Sequence, residues 1–385
     1  MPETFNAFAV APPGIAPLVA DELRALGIPP GNVSDAGVAF VASRRDLARA
    51  NLWLRTASRV IVRLDTFEAT DFATLERRAK LVPWSDVLRV GAQVQLRVTC
   101  RKSRLYHSDA VAQRVGRAIE AKIAGSRVEL KAADEEGDAP GDAILPQLII
   151  VRFERDHCTI SADSSGSLLH RRGWRQAIAK APLRETLAAT LISASGWDMK
   201  SPMVDPFAGS GTIAIEAALR ARNMAPGIAR AFAMESWPNT NTLLLSQLRK
   251  EARSLARSKA GIPIVAADRD GGACAAALSN AERAGVARDV EVLQCSVSYT
   301  DLPALGPRGW VITNPPYGVR VSGGADLRSL YQRLGDVLRA GGPDWHVTML
   351  AAEHALVMQM KLPTKVLIKT TNGGLPVSIE GSYRK

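Results

Sequence analysis

The sequence contains few of the features that mark secreted, metal-binding or membrane proteins. Its four cysteines show no CxxC spacing, so neither a disulfide framework nor a zinc site is expected from Cys100, Cys158, Cys274 and Cys295. No run of about 18 apolar residues occurs, so no transmembrane helix is expected. The opening MPETFNAFAV has an acid where a signal peptide carries basic residues, and no apolar core follows. We therefore expect a cytoplasmic protein with reduced thiols, no bound metal and no membrane partner.

Acidic residues are also fewer than basic ones. The 385 residues include 38 acidic and 49 basic ones, for a formal net charge of +11, and a basic surface is the usual property of a protein that binds phosphates. The excess lies mainly in two stretches, 89–117 and 170–184, whose basic residues are Arg89, Arg97, Arg101, Lys102, Arg104, Arg114 and Arg117, and Arg171, Arg172, Arg175, Lys180 and Arg184. Either stretch alone could be a solvated surface, but together they suggest a path for a polyanion.

The pattern of apolar residues changes near residue 166. Residues 5–62 alternate strands and helices as a small α/β unit with a mostly antiparallel sheet. A strand at 93–100, a helix at 109–124 and a hairpin turning at Arg155-Asp156 follow, with an acidic surface loop at 131–143. From residue 166 strands and helices alternate, which predicts a doubly wound, largely parallel sheet closed by a terminal hairpin. Ligands of such sheets bind at the carboxyl ends of the strands.

A glycine-containing turn, DPFAGSGT at 205–212, joins the first strand of this sheet to its helix. The glycines allow a tight turn and close approach of a ligand to the backbone. The pattern also fits a dinucleotide fingerprint, but the acid expected about 20 residues later is missing, since Asp268 and Asp270 come much later. Asp205, at the start of the turn, favours a cationic ligand. S-adenosylmethionine has an ammonium, a sulfonium and a ribose that Asp268 can bind; a turn without a ligand is the alternative.

A second unusual stretch, TNPPYG at 313–318, follows the apolar run Trp310-Val311-Ile312. Two prolines stiffen the loop and have no N–H to donate. The side-chain oxygen of Asn314 and the carbonyl of Pro315 can accept hydrogen bonds from an exocyclic amine and orient its lone pair. Tyr317 can stack on a base taken out of its helix. The pattern indicates a clamp for an amino group on a planar ring, and the alternative is a proline-rich turn after a buried strand.

These two stretches resemble motifs I and IV of class I S-adenosylmethionine-dependent amino-methyltransferases. NPPY is shared by DNA adenine-N6, RNA guanine-N2 and protein glutamine enzymes, so it does not identify the substrate. The wider sequence resembles the THUMP-containing guanine-N2 RNA methyltransferases, and within them most closely the bacterial 23S rRNA large-subunit enzymes with a single methyltransferase. The segments that carry this likeness are ANLWLRTASRV, RKSRLYHSDAV, LLHRRGWR, APLRETLAA, NMAPG and TNGGLPV.

The resemblance implies an α/β protein of three domains. These are a ferredoxin-like unit at 1–62, a THUMP RNA-binding domain at 63–165 and a class I, Rossmann-like methyltransferase domain at 166–385. It also implies S-adenosylmethionine as the cofactor and a monomer that binds structured RNA, 23S rRNA rather than tRNA.

Site residues follow from the matched motifs and the basic stretches. Cofactor binding is expected from Asp205, Phe207, Gly209, Gly211, Asp268, Ser296 and Asn314. Catalysis is expected from Asn314, Pro315, Pro316 and Tyr317, and RNA binding from Arg101, Lys102, Arg104, Arg171, Arg172 and Arg175.

One position departs from the family pattern. Ser296 stands where the family usually has an aspartate that contacts the adenine amino group, and Asp301 lies nearby, past the expected strand end. Two other functions stay open: a tRNA guanine-N2 methyltransferase, since the sequence does not choose between the two RNAs, and an RNA-binding or assembly protein with an inactive methyltransferase fold, which Ser296 favours. A nicotinamide oxidoreductase would leave the proline loop unexplained.

Overall fold

The computed structural model describes residues 4–130, 146–176, 183–238, 240–317 and 327–382. The expected acidic loop at 131–143 and the basic Lys180 lie outside these residues. Contacts divide the chain into two units, one of residues 1–10, 20–169 and 230–250 and one of residues 11–19, 170–229 and 251–385. Within the described residues, no helix is long and apolar enough to cross a membrane.

The first unit contains an eight-stranded mixed sheet. Its strands are β1 (Phe5–Val10), β2 (Pro30–Ser34), β3 (Gly37–Ala42), β4 (Arg59–Glu68), β5 (Gln93–Arg101), β6 (Arg127–Leu130), β7 (Gln147–Glu154) and β8 (His157–Asp163). They lie in the order β2-β3-β1-β4-β8-β7-β5-β6. The strands up to β4 pair antiparallel, as expected, whereas β5 is parallel to both β6 and β7. The helices of this stretch of chain are α1 (Ala16–Ala25), α2 (Arg44–Trp53), α3 (Phe72–Ala79) and α4 (Ser108–Lys122).

Local sequence explains several of these boundaries. The Ser43 hydroxyl accepts from the Asp46 N–H at 3.1 Å and the Asp46 carboxylate accepts from the Ser43 N–H at 3.2 Å, a capping box that starts α2. The predicted turn at Arg155-Asp156 is confirmed, with φ of 51° and 65°, the left-handed pair that a two-residue hairpin needs. The sequence did not predict β2 and β6, which are short and lie at the two edges of the sheet. The division into domains at 62 and 165 stays a prediction.

The second unit contains a seven-stranded sheet. Its strands are β9 (Met203–Asp205), β10 (Ile264–Asp268), β11 (Glu291–Gln294), β12 (Gly309–Thr313), β13 (Trp345–Ala351), β14 (Thr364–Asn372) and β15 (Leu375–Ser382). The helices that follow in the chain are α5 (Glu185–Ser195), α6 (Thr212–Ala221), α7 (Thr242–Leu255), α8 (Gly271–Arg283), α9 (Leu302–Leu305), α10 (Leu327–Gly341) and α11 (His354–Val357).

The order of this sheet creates the place for a ligand. The strands lie as β11-β10-β9-β12-β13-β15-β14, and the first five are parallel. The order reverses direction between β9 and β12, and ligands of such sheets bind outside the carboxyl ends at that switch point. The predicted doubly wound sheet and its terminal antiparallel hairpin are both confirmed. Buried apolar side chains of β9, β12 and β13, including Val204, Val311 and Val347, form one core cluster with side chains of α10.

Candidate functional site

The glycine turn between β9 and α6 depends on two left-handed glycines with different surroundings. Gly209 has φ 51° and Gly211 has φ 81°. A Cβ on Gly211 would lie 2.9 Å from the Cβ of Ala277 on α8, whereas a Cβ on Gly209 would meet nothing within 4 Å. Gly211 is therefore required by the packing of the turn against α8, and Gly209 lines open space where a ligand can approach the backbone.

Asp268, the last residue of β10, is hydrogen-bonded to this turn. Its Oδ2 accepts from the Gly209 N–H at 2.9 Å and its Oδ1 accepts from the Asp270 N–H at 3.0 Å. A carboxylate oxygen can accept more than one hydrogen bond, so both oxygens retain capacity for hydroxyl groups of a ligand. Asp270 itself accepts from the N–H groups of Gly272 and Ala273 and starts α8. Of the two acids expected near the strand end, the structure uses Asp270 as a helix cap.

Asp205 lies at the switch point and is 1% exposed. Its Oδ1 accepts from the Thr313 hydroxyl at 2.6 Å, at the end of β12, and from the Phe207 N–H at 3.2 Å. Burial, with a smaller contribution from the charge of Asp268, raises the pKa of the Asp205 carboxyl to about 7. Among the described residues no basic side chain forms an ion pair with it. A buried acid of this kind gains from a cation brought by a ligand.

The proline loop begins one residue beyond that hydrogen bond. Thr313 and Pro315 are buried, and Asn314, Pro316 and Tyr317 are half-buried. The Asn314 Oδ1 atom is buried and has no hydrogen-bond donor among the described residues. Because a buried acceptor without a partner is costly, this atom is suited to a donor that arrives with a substrate.

Tyr317, at the other end of the loop, has a partner that the sequence did not predict. The Asn372 side-chain N–H donates to the Tyr317 hydroxyl at 2.7 Å. Asn372 ends β14, 55 residues further along the chain. The only feature of the sequence that draws attention to Asn372 is the segment TNGGLPV, in which this polar residue precedes two glycines at a strand end.

Ser296 and Asp301 follow β11. Ser296 precedes a short 3-10 turn at Val297–Tyr299, and the N–H of its neighbour Cys295 donates to the Asp268 carbonyl at 2.9 Å. Asp301 accepts from the Ala304 N–H at 3.2 Å and caps α9. Asp301 is thus used as a helix cap, and a cofactor contact by Ser296 stays a prediction.

The basic residues expected to bind RNA differ in exposure. Arg101, the last residue of β5, and Lys102 and Arg104, in the loop that follows, are exposed, and together they form a basic loop. The Arg104 backbone N–H donates to Asp156 Oδ1 at 2.7 Å, which connects this loop to the β7–β8 turn. By contrast, Arg172 and Arg175 pair with buried glutamates, at 3.3 Å to Glu216 and 3.1 Å to Glu185. A phosphate would have to compete with these carboxylates, so we ascribe to both arginines a structural role in the second unit. Arg171 is half-buried.

No group of three or more potential metal ligands occurs among the described residues. The residues present fit S-adenosylmethionine, because a buried acid without an ion pair, open space at Gly209 and the strand-end acid Asp268 meet at one sheet edge. The fold and this site define an S-adenosylmethionine-dependent methyltransferase of the Rossmann-like class.

Comparison with known families gives the particular group. The RMKL-like methyltransferase domain matches residues 172–379, and the RlmL ferredoxin-like domain matches residues 6–61. The chain belongs to the family of RMKL-like methyltransferases, and the expected ferredoxin-like unit at its amino-terminal end is confirmed.

Individual proteins with known names or structures are similar to this chain over nearly its whole length. The protein slr0064 of Synechocystis sp. is 32% identical over 97% of this chain and 95% of its own length. Ribosomal RNA large subunit methyltransferase K/L of Syntrophotalea carbinolica is 34% identical over 96% of this chain, which spans only 52% of that relative. The crystal structure of SMU.472 in complex with SAH has a TM-score of 0.87 at 29% identity and covers 100% of this chain and 99% of its own.

The two glycines of the turn give a matched pair of variants. Gly211→Ala should lower the free energy of unfolding by about 1–3 kcal/mol even without cofactor, because the methyl group meets Ala277 in a left-handed conformation. Gly209→Ala should cost only about 1 kcal/mol but should weaken cofactor binding, since its methyl group occupies open space. Denaturant unfolding and calorimetry measure the two effects. If Gly211→Ala were as stable as the wild type, the role of Gly211 in packing would be contradicted. If Gly209→Ala bound the cofactor with unchanged affinity, the role of Gly209 in ligand binding would be contradicted.

Proposed function

We propose that this chain methylates the exocyclic N2 amine of a guanosine in RNA, and that the RNA is 23S ribosomal RNA. The observation that carries the proposal is the buried Asn314 Oδ1 without a donor, one residue beyond the hydrogen bond between Thr313 and Asp205. An exocyclic amine on a planar base supplies the N–H that this oxygen lacks.

The residues of the proline loop overcome the weak nucleophilicity of such an amine. Its lone pair is delocalised into the ring, and two acceptors, the Asn314 side-chain oxygen and the Pro315 carbonyl, favour a tetrahedral nitrogen by holding its N–H groups. Tyr317 stacks on the base once it has left its helix. When bound by Asp205, the glycine turn and Asp268, S-adenosylmethionine would supply a methyl group from its sulfonium and be left as a thioether. The acceptor amine would gain the C–N bond and lose one proton to water.

The choice of RNA rests on the relatives and on the first unit. Curated relatives of 31–34% identity are named ribosomal RNA large subunit methyltransferases. The first unit contains the exposed basic loop of Arg101, Lys102 and Arg104, where we place phosphate contacts. We assign residues 63–165 to a THUMP RNA-binding domain on the same grounds.

RNA binding should depend steeply on salt through this loop. Neutralising Arg101, Lys102 and Arg104 together should flatten the slope of log K against log salt by about 2–3 units, since each phosphate contact releases counterions. Filter binding of 23S rRNA fragments at several salt concentrations measures the slope. A matched control removes the same charge from three other exposed positions, Lys250, Lys259 and Arg288. Equal slopes for the two triple variants would mean that only net charge matters.

The substrate is tested in cells. A strain that lacks the gene should lose N2-methylguanosine from its 23S rRNA, and mass spectrometry of nucleosides from separated rRNA and tRNA measures the loss. A loss confined to tRNA would replace the proposed substrate with tRNA. Unchanged N2-methylguanosine in both fractions would contradict the proposed reaction.

A further inference from the structure

The terminal hairpin of β14 and β15 reaches the proline loop. The Asn372 side-chain N–H donates to the Tyr317 hydroxyl at 2.7 Å, and both side chains are half-buried. A phenol ring can turn about its side-chain bonds, so a hydrogen bond at its hydroxyl restricts the ring at the end farthest from the backbone. Within the described residues, this contact joins the strand end of the hairpin directly to the loop proposed to hold the substrate amine.

The hairpin presents Asn372 from a fixed backbone. β14 pairs with β15 up to Asn372 opposite Leu375, and β15 pairs in turn with β13. On β14, the Lys369 carbonyl oxygen would lie 2.4 Å from a Cβ at Gly14. The chain at Gly14 therefore lies directly against the hairpin backbone three residues before Asn372, and the donor to Tyr317 is positioned by the sheet and by this contact.

The turn beyond Asn372 is open. Gly373 and Gly374 have φ of 57° and 84°, and a Cβ on either would meet nothing within 4 Å. Thr371 and Leu375 on either side are exposed. The residues around Asn372 are thus exposed at the end of the hairpin, and the hydrogen bond from Asn372 to Tyr317 connects this end to the site.

We propose that Asn372 is a positioning residue that holds the Tyr317 ring in the orientation needed to stack on the target base. The assignment rests on the proposed methylation of a base in RNA and extends it to a residue outside the two motifs. Asn372 acts through Tyr317, so its loss should affect how well RNA is held in the reactive position. Cofactor binding, which depends on β9 and β10, should be unaffected.

The pair can be tested with a double-mutant cycle on the full chain. Asn372→Ala removes the donor and Tyr317→Phe removes the acceptor while keeping the ring, and each should raise the KM for RNA or lower the single-turnover rate by about 5-fold, as for one hydrogen bond. The double variant should be no worse than either single variant, because both remove the same interaction. Cofactor affinity and Tm should match the wild type, and Thr371→Ala, at the exposed neighbour, should retain wild-type kinetics.

Each outcome decides a different point. Losses that multiply in the double variant, or an unchanged Asn372→Ala, would overturn the role of Asn372 while leaving RNA methylation intact. A fall in Tm that accounts for the whole loss in Asn372→Ala would mean that the hydrogen bond only stabilises the hairpin. A wild-type protein that methylates no RNA would overturn the proposed function and this assignment with it.

Discussion

Asn314→Ala should reduce the single-turnover rate of methylation by about 100-fold or more, in the range seen when one aligned polar group is lost from a reacting centre. The reason is the position of Asn314 Oδ1, which is buried and without a donor among the described residues. Its hydrogen bond to the substrate amine forms in the reacting geometry, so its loss affects the rate more than binding. Single-turnover kinetics with labelled cofactor measure the change.

The cofactor provides the control for this variant. Its affinity should change much less than the rate in Asn314→Ala, because most of the expected cofactor contacts lie elsewhere, at the strand ends Asp205 and Asp268 and in the turn at Gly209. Asn314→Asp should retain part of the activity, since a carboxylate also accepts from an amine. Full activity of Asn314→Ala would mean that the proline loop is only a turn after a buried strand.

Asp205→Asn should weaken S-adenosylmethionine binding by about 1–3 kcal/mol, the range for removing a charged hydrogen-bond partner. The substitution keeps the shape of the side chain and an oxygen that can accept from the Thr313 hydroxyl, which the wild-type carboxylate does at 2.6 Å. The loss is therefore one of charge. Isothermal titration calorimetry measures it, and unchanged affinity would contradict the placement of the cationic end of the ligand.

The pH dependence of binding gives a second result for Asp205. Burial raises the pKa of its carboxyl to about 7, and a cationic ligand favours the ionised form, so affinity should fall by about tenfold between pH 8 and pH 6. Without ligand, the stability of the folded protein depends on pH in the opposite direction. A raised pKa stabilises the folded protein at low pH, and this contribution is lost as the pH rises through about 7. Asp205→Asn should remove the pH dependence of cofactor affinity and of stability that comes from this carboxyl. Any pH dependence of affinity that remains in this variant then comes from titration of the ligand itself.

Much of the second sheet was predictable because its pattern is local. Strands alternate with helices, the glycines of DPFAGSGT favour a tight turn that a ligand can approach, and TNPPYG cannot continue a strand. Since the carboxyl ends of parallel strands share one edge, Asp205, Asp268 and Asn314 could be placed together without a structure.

Contacts between distant segments were not predictable in the same way. Asn372 meets Tyr317 only because the terminal hairpin folds back beside β13, and no periodicity encodes that approach. Charge counts gave Arg172 and Arg101 equal weight, but Arg172 is buried against Glu216 and Arg101 is exposed. The edge strands β2 and β6 are stabilised by pairing rather than by a strong apolar pattern.

Transfer of a labelled methyl group to RNA tests the central claim most directly. Purified protein is incubated with deuterated S-adenosylmethionine and 23S rRNA from a strain that lacks the gene, and the digested nucleosides are analysed by mass spectrometry. We predict that the label appears in N2-methylguanosine and is reduced about 100-fold with Asn314→Ala. Label in another nucleoside, or none in rRNA that lacks the modification, would contradict the proposal.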